Sequence, residues 1–190
     1  MDLMRKIIIS GSSLFILLVM VTHAWAISLT FNPSSESILV GDDVTLDIMI
    51  SGLDNDNVSG FDFVLNYDGS ILNFDSYVLG DQLGDVELGD AMDLSFDDNL
   101  VEVSWLWDFS FQEDEFTLAS ITFSGLSVGQ SDVGIANLVL SDDGWPAQAL
   151  IADLGTGTID VTTPVPEPAT MFLLGSGLLG LVGYRRRVNN

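Results

Sequence analysis

Basic residues are nearly absent from this 190-residue sequence, which contains only five lysines and arginines, one histidine and no cysteine. The five bases are confined to the two ends, at Arg5, Lys6 and residues 185–187, and the histidine is His23. Residues 27–163 therefore contain 26 of the 28 acidic residues and no lysine, arginine, histidine or cysteine. This stretch has no disulfide and no basic side chain to pair with its acids.

The lack of cations excludes several classes of function for residues 27–163. Nucleic acids and anionic membranes need lysine or arginine to neutralise phosphate, so neither is an expected partner. A serine or cysteine triad needs a base that is missing here, and structural zinc needs histidine or cysteine. Two carboxylates suffice for a glycosidase, but no motif singles out a pair. We therefore expect a protein that is not an enzyme, with metal cations, neutral sugars or basic protein surfaces as partners.

Residues 1–26 are typical of a secretory signal peptide. A charged start precedes an apolar run over residues 7–21, and Ala24 and Ala26 have the small-x-small spacing of a cleavage site. The apolar run is short for a membrane span, which makes a buried or anchoring helix the weaker alternative. The chain is expected to be exported.

Three elements follow one another at the other end, in residues 164–190. The first is a proline-rich linker, which contains Pro166, Glu167 and Pro168. The second is an uncharged, glycine-containing apolar segment over residues 171–183. The third is a cluster of arginines, formed by Arg185, Arg186 and Arg187. A basic cluster behind a short apolar helix holds a tail on the cytoplasmic side of a membrane.

This order of elements closely resembles the PEP-CTERM sorting signal of exported bacterial proteins. The resemblance implies that Pro166, Glu167 and Pro168 are the motif recognised by exosortase, a membrane protease-transpeptidase of bacteria that make exopolysaccharide. It also implies transient anchoring in the inner membrane through a short transmembrane helix at 171–183. Display at the cell surface or in the extracellular matrix would follow. An ordinary tail anchor is the alternative.

The middle of the chain shows the alternation of half-buried β-strands. Buried positions are predicted at every second residue of three segments: 44–50, 61–67, and 101–107 with Val101, Val103, Trp105 and Trp107. Further strands are predicted at 29–31, 37–40, 72–79, 116–123, 134–140, 149–152 and 158–161. Turns rich in glycine, aspartate and asparagine separate them. About nine short strands without a helix predict an all-β domain at 27–163, a β-sandwich.

Four segments of this domain resemble the cohesin family and its relatives. They are GDDVTLDI at 41–48, GFDFVLNYD at 60–68, LNF at 72–74 and GTGTIDV at 155–161. The resemblance implies a cohesin-like nine-stranded jelly-roll sandwich. Cohesins of scaffolding proteins bind dockerin modules through one sheet face, and Asp62 matches an acidic contact position of that face. Relatives without a dockerin partner serve in adhesion or structure. We expect an exported surface or matrix module that serves in adhesion, structure or protein binding.

Calcium is the metal that this composition leaves open, because hard cations prefer carboxylate and carbonyl oxygens on loops. Candidate ligands lie in two turns, at Asp54 and Asp56 and at Asp142 and Asp143. Neither turn fits the twelve-residue calcium loop. The alternative is that these residues are solvated turn formers that make local hydrogen bonds.

Tryptophan offers the alternative function, a carbohydrate-binding module of the exopolysaccharide matrix. Trp145 lies in an Asp-Gly-Trp-Pro turn and is the candidate for an exposed ring that stacks on a sugar. Trp105 and Trp107 share the predicted inward face with Val101 and Val103, so we expect them in the core.

Overall fold

The computed structural model describes residues 27–54, 56–106, 109, 112–164, 174–179 and 184–185. Between residues 27 and 164 the described chain forms twelve strands and no helix. The strands are β1 Ile27–Asn32, β2 Ser35–Leu39, β3 Asp43–Ser51, β4 Gly60–Asn66, β5 Leu72–Leu79, β6 Ala91–Asp93, β7 Asn99–Ser104, β8 Glu115–Gly125, β9 Gly129–Ser141, β10 Ala149–Leu150, β11 Ala152–Leu154 and β12 Gly157–Thr162. Nine of them have five residues or more, and β6, β10 and β11 are short.

The strands form two sheets that make a β-sandwich, as the sequence predicts. The smaller sheet has the order β11-β1-β3-β8-β5, and the larger sheet has the order β2-β12-β9-β4-β7-β6, with β10 paired to β9. Pairing is antiparallel except between β1 and β11 and between β2 and β12. The predicted fold class is confirmed, while β6 has no counterpart among the predicted strands.

The core between the sheets is made by alternate residues of each strand. The inward residues of β3 are those that the alternation predicts, Val44, Leu46, Ile48 and Ile50. On β4, Phe61, Phe63 and Leu65 are buried in the same way. Across the sandwich, the ring of Tyr67 meets the ring of Phe123 edge-on at 5.1 Å between centroids. Burial of each such large side chain stabilises the fold by about 1.5–3 kcal/mol.

Strand β7 faces the opposite way from its prediction. Leu100 and Glu102 are fully buried, whereas Val103 is 38% exposed and Trp105 is 58% exposed. The pairing with β4 explains the difference, because Glu102 lies opposite the inward Phe61. Residues that are directly opposite in a sheet point to the same face, so the register with β4 decides which side of β7 is buried. The prediction of a core position for Trp105 is therefore wrong, and Trp107 lies outside the described residues.

Gly80 ends β5 at a point where the backbone approaches β8 closely. Its N–H donates to the carbonyl oxygen of Leu118 at 2.8 Å. A Cβ on Gly80 would overlap the carbonyl oxygen of Thr117. Glycine is required here by the close approach of two backbones.

Candidate functional site

The outer face of the larger sheet carries an accessible apolar strip around one carboxylate. Asp62 on β4 lies between Val139 of β9 and Val101 of β7. Val139 is 51% exposed, and Asp62 is half-buried. We use the name Asp62 face for this surface, made up of Asp62, Val64, Val101, Val103 and Val139. Such a cluster of accessible valines around a carboxylate is suited to contact with another protein.

A β-bulge shapes the Asp62 face. The register between β4 and β9 shifts between Asp62 and Val64, opposite Asn137. Asn137 has a φ of 56°, in the left-handed region that asparagine tolerates better than most residues. An extra residue in one strand increases the local twist and changes the direction of the side chains around it. Sequence alternation alone does not reveal such a bulge.

A groove next to the Asp62 face brings two tryptophans together. Trp105 follows β7 and is 58% exposed, and Trp145 lies in the β9–β10 turn and is fully exposed. Both line a groove of about 360 Å³, whose other lining residues include Ser59, Ser104, Phe109, Asp142 and Asp143. Two accessible indole faces beside hydroxyls and carboxylates are the chemistry that binds sugar rings.

Hydrogen bonds hold the turn that presents Trp145. The Oδ1 atom of Asp142 accepts from the backbone N–H groups of Gly144 at 3.1 Å and of Gln148 at 2.6 Å. The backbone N–H of Asp142 in turn donates to the carbonyl oxygen of Gln148 at 2.9 Å. The carboxylate of Asp142 thus stabilises the turn by hydrogen bonds within it.

The two turns proposed for calcium are neighbours in space. The side-chain amide of Asn57 donates to Oδ2 of Asp143 at 2.9 Å, which links turns that are 86 residues apart in sequence. Asp54 and Asp56 are exposed, and the N–H of Asp54 donates to Oδ1 of Asp114 at 2.6 Å. Among the described residues, no group of three or more acidic, histidine or cysteine side chains is arranged to hold a metal ion. Calcium binding at these turns stays a prediction.

Glu102 is a carboxyl group buried on the inner face of β7, next to the edge strand β6. Its side chain is fully buried, and neither carboxylate oxygen has a hydrogen-bond partner among the residues that the structure describes. Its neighbour across the strand pair is Asp93 of β6. Burial, together with the negative charge of Asp93, raises the pKa of Glu102 to about 8. Sequence alternation predicts an outward position for Glu102, so this feature was missed.

Asp93 has the opposite environment. Its carboxylate accepts from the hydroxyl of Tyr77 at 2.9 Å and from the backbone N–H of Ser95 at 2.9 Å. Burial raises the pKa of Asp93, but hydrogen bonding to the side chain and backbone of Ser95 and to the Tyr77 hydroxyl outweighs it, and the pKa lies below its ordinary value. Two carboxyl groups with diverging pKa values are a pattern of glycosidases. Here Glu102 has no access to solvent, so it cannot touch a substrate in this conformation.

The terminal predictions fall largely on residues outside those described. These are Ala24, Ala26, Pro166, Glu167, Pro168, Arg186 and Arg187. Arg185 is described and exposed, and residues 174–179 of the predicted 171–183 segment are helical. In the described part of the chain no helix has the length and apolar character needed to cross a membrane.

Comparison with known proteins gives the same fold. The seventh ScaB type I cohesin of Pseudobacteroides cellulosolvens is 19% identical, with a TM-score of 0.57 over 75% of this chain and 96% of that one. A non-cellulosomal cohesin of the archaeon Archaeoglobus fulgidus is 12% identical, with a TM-score of 0.54 over 73% and 92%. A cohesin from a cohesin–dockerin complex of Clostridium thermocellum is 13% identical, with a TM-score of 0.56 over 74% and 97%. No curated protein matches the chain.

Family models match two parts of the sequence. The PEP-CTERM protein-sorting motif matches residues 164–187. The cohesin domain matches residues 29–144, which is more than half of the chain and includes most of β1, all of β2 to β9 and the Asp62 face. The chain belongs to the cohesin domain family and ends in a PEP-CTERM sorting motif.

Proposed function

We propose that residues 27–163 are a non-enzymatic protein-binding module that docks a partner on the Asp62 face. The observation that carries this proposal is the position of Asp62, half-buried between Val101 and Val139 on an otherwise apolar strip. A partly desolvated carboxylate gives specificity, and the surrounding valines give area that can be buried. The Clostridium thermocellum cohesin of similar fold was solved in complex with a dockerin, which makes a dockerin-like module the first partner to test.

Charge further restricts the partner. A domain with 26 acidic residues and no basic residue repels acidic proteins and attracts surfaces rich in lysine or arginine. A partner that presents a basic group or an N–H donor to Asp62 fits both the Asp62 face and the negative electrostatic field of the whole domain. Association should therefore weaken as salt screens the charges.

The docking proposal is tested by measuring the affinity of the full chain for type I dockerin modules with basic surfaces. Asp62→Arg should weaken binding by roughly tenfold or more, which corresponds to about 1.4 kcal/mol. Asp43→Arg is the matched control, since Asp43 is an exposed carboxylate at the start of β3 on the other sheet. Equal affinities of both variants and the wild type would place the docking surface elsewhere.

The sorting motif supports a proposal for the route of the protein. Export would begin with cleavage after Ala26, and the 171–183 segment would hold the chain in the inner membrane with Arg185 to Arg187 inside. Exosortase would then act at Pro166 to Pro168, and the acidic domain would reach the cell surface or the extracellular matrix. This processing removes all five basic residues.

Processing is tested in a host that encodes exosortase. Replacing Glu167 with alanine should retain the tail, which mass spectrometry of the purified protein detects as an unprocessed C-terminus. A Glu113→Ala variant, altered at an exposed glutamate in the domain, should be processed normally. Complete processing of the Glu167 variant would show that the motif is not used.

Carbohydrate binding is the second candidate function, and the shared groove of Trp105 and Trp145 favours it. The acidic domain repels anionic polysaccharide, so the expected ligand is an uncharged sugar chain of the exopolysaccharide matrix. Each sugar ring would stack on an indole face. The hydroxyls of Ser59 and Ser104 would exchange hydrogen bonds with sugar hydroxyls, and the carboxylate of Asp143 would accept from them.

A glycan array with the full chain tests this second function. Trp145→Ala and Trp105→Ala should each reduce sugar binding at least about tenfold, whereas Ile151→Ala, at a position that is 88% exposed and outside the groove, should not. Binding that survives both tryptophan substitutions, or no binding to any uncharged glycan, would remove this candidate.

A further inference from the structure

Glu102 lies directly behind the Asp62 face. On β7 it points into the core, while its chain neighbours Val101 and Val103 point outward into that face. The strand therefore connects a buried carboxyl group on one side of the sheet with the proposed docking surface on the other. A movement of β7 therefore displaces both the carboxyl group of Glu102 and the Asp62 face.

The edge of the sheet at this point is a short hairpin. Among the described strands, β6 is the last of the larger sheet, and it pairs with β7 at Ala91, Met92 and Asp93. Backbone hydrogen bonds extend this pairing by a few residues, from the N–H of Trp105 to the carbonyl oxygen of Asp90 and from the N–H of Leu94 to the carbonyl oxygen of Val101. The segment before β6 is made of turns, and Asp97 in the β6–β7 connection has a φ of 53°. An edge strand with a partner on one side only separates at a lower cost than an inner strand such as β4, which is paired on both sides.

The surroundings of Glu102 accept its neutral form only. Its cross-strand neighbours are Phe61 on β4, which offers no polar atom, and Asp93 on β6, which is itself a carboxylate. From β5, Tyr77 reaches this cluster, but its hydroxyl already donates to Asp93. Residues 27–163 contain no basic side chain that can neutralise a second charge.

We propose that loss of the proton from Glu102 releases the β6–β7 edge and thereby disables the Asp62 face, so that alkaline pH switches docking off. The buried anion would have no hydrogen-bond donor and would face a second carboxylate. Opening of the β6–β7 edge is the shortest way for it to reach water. The opening follows from the burial of Glu102, its lack of a hydrogen-bond partner among the described residues and its position opposite Asp93, whereas its effect on docking rests on the proposed function.

The sign of the effect follows from proton linkage. Burial and Asp93 raise the pKa of Glu102 to about 8 from an ordinary 4.5, so the closed form binds the proton more tightly than the open form. Opening is least favourable below pH 4.5, becomes about tenfold more favourable per pH unit above it, and levels off above pH 8. Histidine and cysteine are absent from residues 27–163, so neither residue type in the domain titrates between pH 4.5 and pH 8.

Amide hydrogen exchange of the full chain, in mild detergent and without a partner, tests the opening. Protection of residues 91–104 in the wild type, relative to Glu102→Gln at the same pH, should fall roughly fiftyfold from pH 6 to pH 8. Both proteins share the same intrinsic exchange rates and the same terminal titrations, so the ratio isolates Glu102. Equal protection at both pH values, or a loss of protection spread over the whole sandwich, would overturn the proposal.

Two further measurements do not depend on the folding of the Glu102→Gln variant. Asp93→Asn removes the facing charge, so the decrease in protection between pH 6 and pH 8 should become smaller. The affinity for a docking partner should fall over the same pH range in the wild type. If no partner binds at any pH while the exchange behaves as expected, the docking function fails and the pH-dependent opening remains. If a partner binds equally at pH 6 and pH 8, the switch fails.

Discussion

Asp93 and Glu102 lie directly opposite each other on adjacent strands, and their pKa values are displaced in opposite directions. Asp93 has hydrogen bonds from Tyr77 and Ser95 that stabilise its anion. Glu102 has no partner among the described residues, and its neutral form is favoured. The two carboxyl groups therefore have pKa values shifted in opposite directions, because only Asp93 receives hydrogen bonds.

The first prediction concerns the stability of the domain against pH. A folded-state pKa of about 8 for Glu102, against an ordinary 4.5, corresponds to a loss of up to about 4–5 kcal/mol of unfolding free energy. Because the folded-state pKa is raised, the contribution of Glu102 to the unfolding free energy is fully present below pH 4.5. It is lost as the pH rises through 8. Urea denaturation at pH 5 and pH 8 should show this decrease in the wild type and a nearly flat profile in Glu102→Gln. Parallel profiles of the two proteins would contradict the assignment.

The second prediction tests the orientation of β7. Leu100→Ala removes a fully buried side chain and should destabilise the domain by about 2–5 kcal/mol. Trp105→Ala removes a larger but mostly exposed side chain and should cost less than about 1 kcal/mol. Chemical denaturation of both variants measures the difference. If Trp105→Ala destabilised the domain more than Leu100→Ala, β7 would have the orientation that alternation predicts.

The third prediction concerns the close approach of backbones at Gly80. Gly80→Ala should destabilise the domain by about 1–3 kcal/mol, since its Cβ would overlap the carbonyl oxygen of Thr117. Gly69 is a matched control in an exposed turn, where an added Cβ meets nothing within 4 Å. Thermal denaturation of the two variants should separate them by several degrees. Similar melting temperatures would mean that the approach of β5 to β8 is relaxed in solution.

The fourth prediction concerns calcium. If calcium binds at the linked turns of Asp54, Asp56, Asp142 and Asp143, it should raise the melting temperature more than sodium at equal ionic strength. The extra increase should disappear in Asp56→Asn and Asp143→Asn, and persist in Asp160→Asn, which changes an exposed carboxylate on β12. An equal effect of both salts would leave screening of the 26 acidic residues as the whole effect of calcium.

Alternation was informative where one face of a strand was clearly apolar. On β3, Val44 and Leu46 are separated by Thr45 and followed by Asp47, and the buried side was predicted correctly. On β7, both faces carry apolar residues, since Leu100 lies on one face and Val101 and Val103 lie on the other. The pattern favoured the face with more valines and tryptophans, and that face is outside.

The sequence by itself determined the charge of this protein, its β-class, its cohesin family resemblance and the sorting motif at its end. These are properties of composition and of segments that are local in the chain. Only the tertiary structure decided that Glu102 is buried, that Trp105 joins Trp145 in one groove, and that Asn57 contacts Asp143. The reason is physical: each of these depends on the register between strands far apart in sequence, and a shift of one residue in that register exchanges the two faces of a strand.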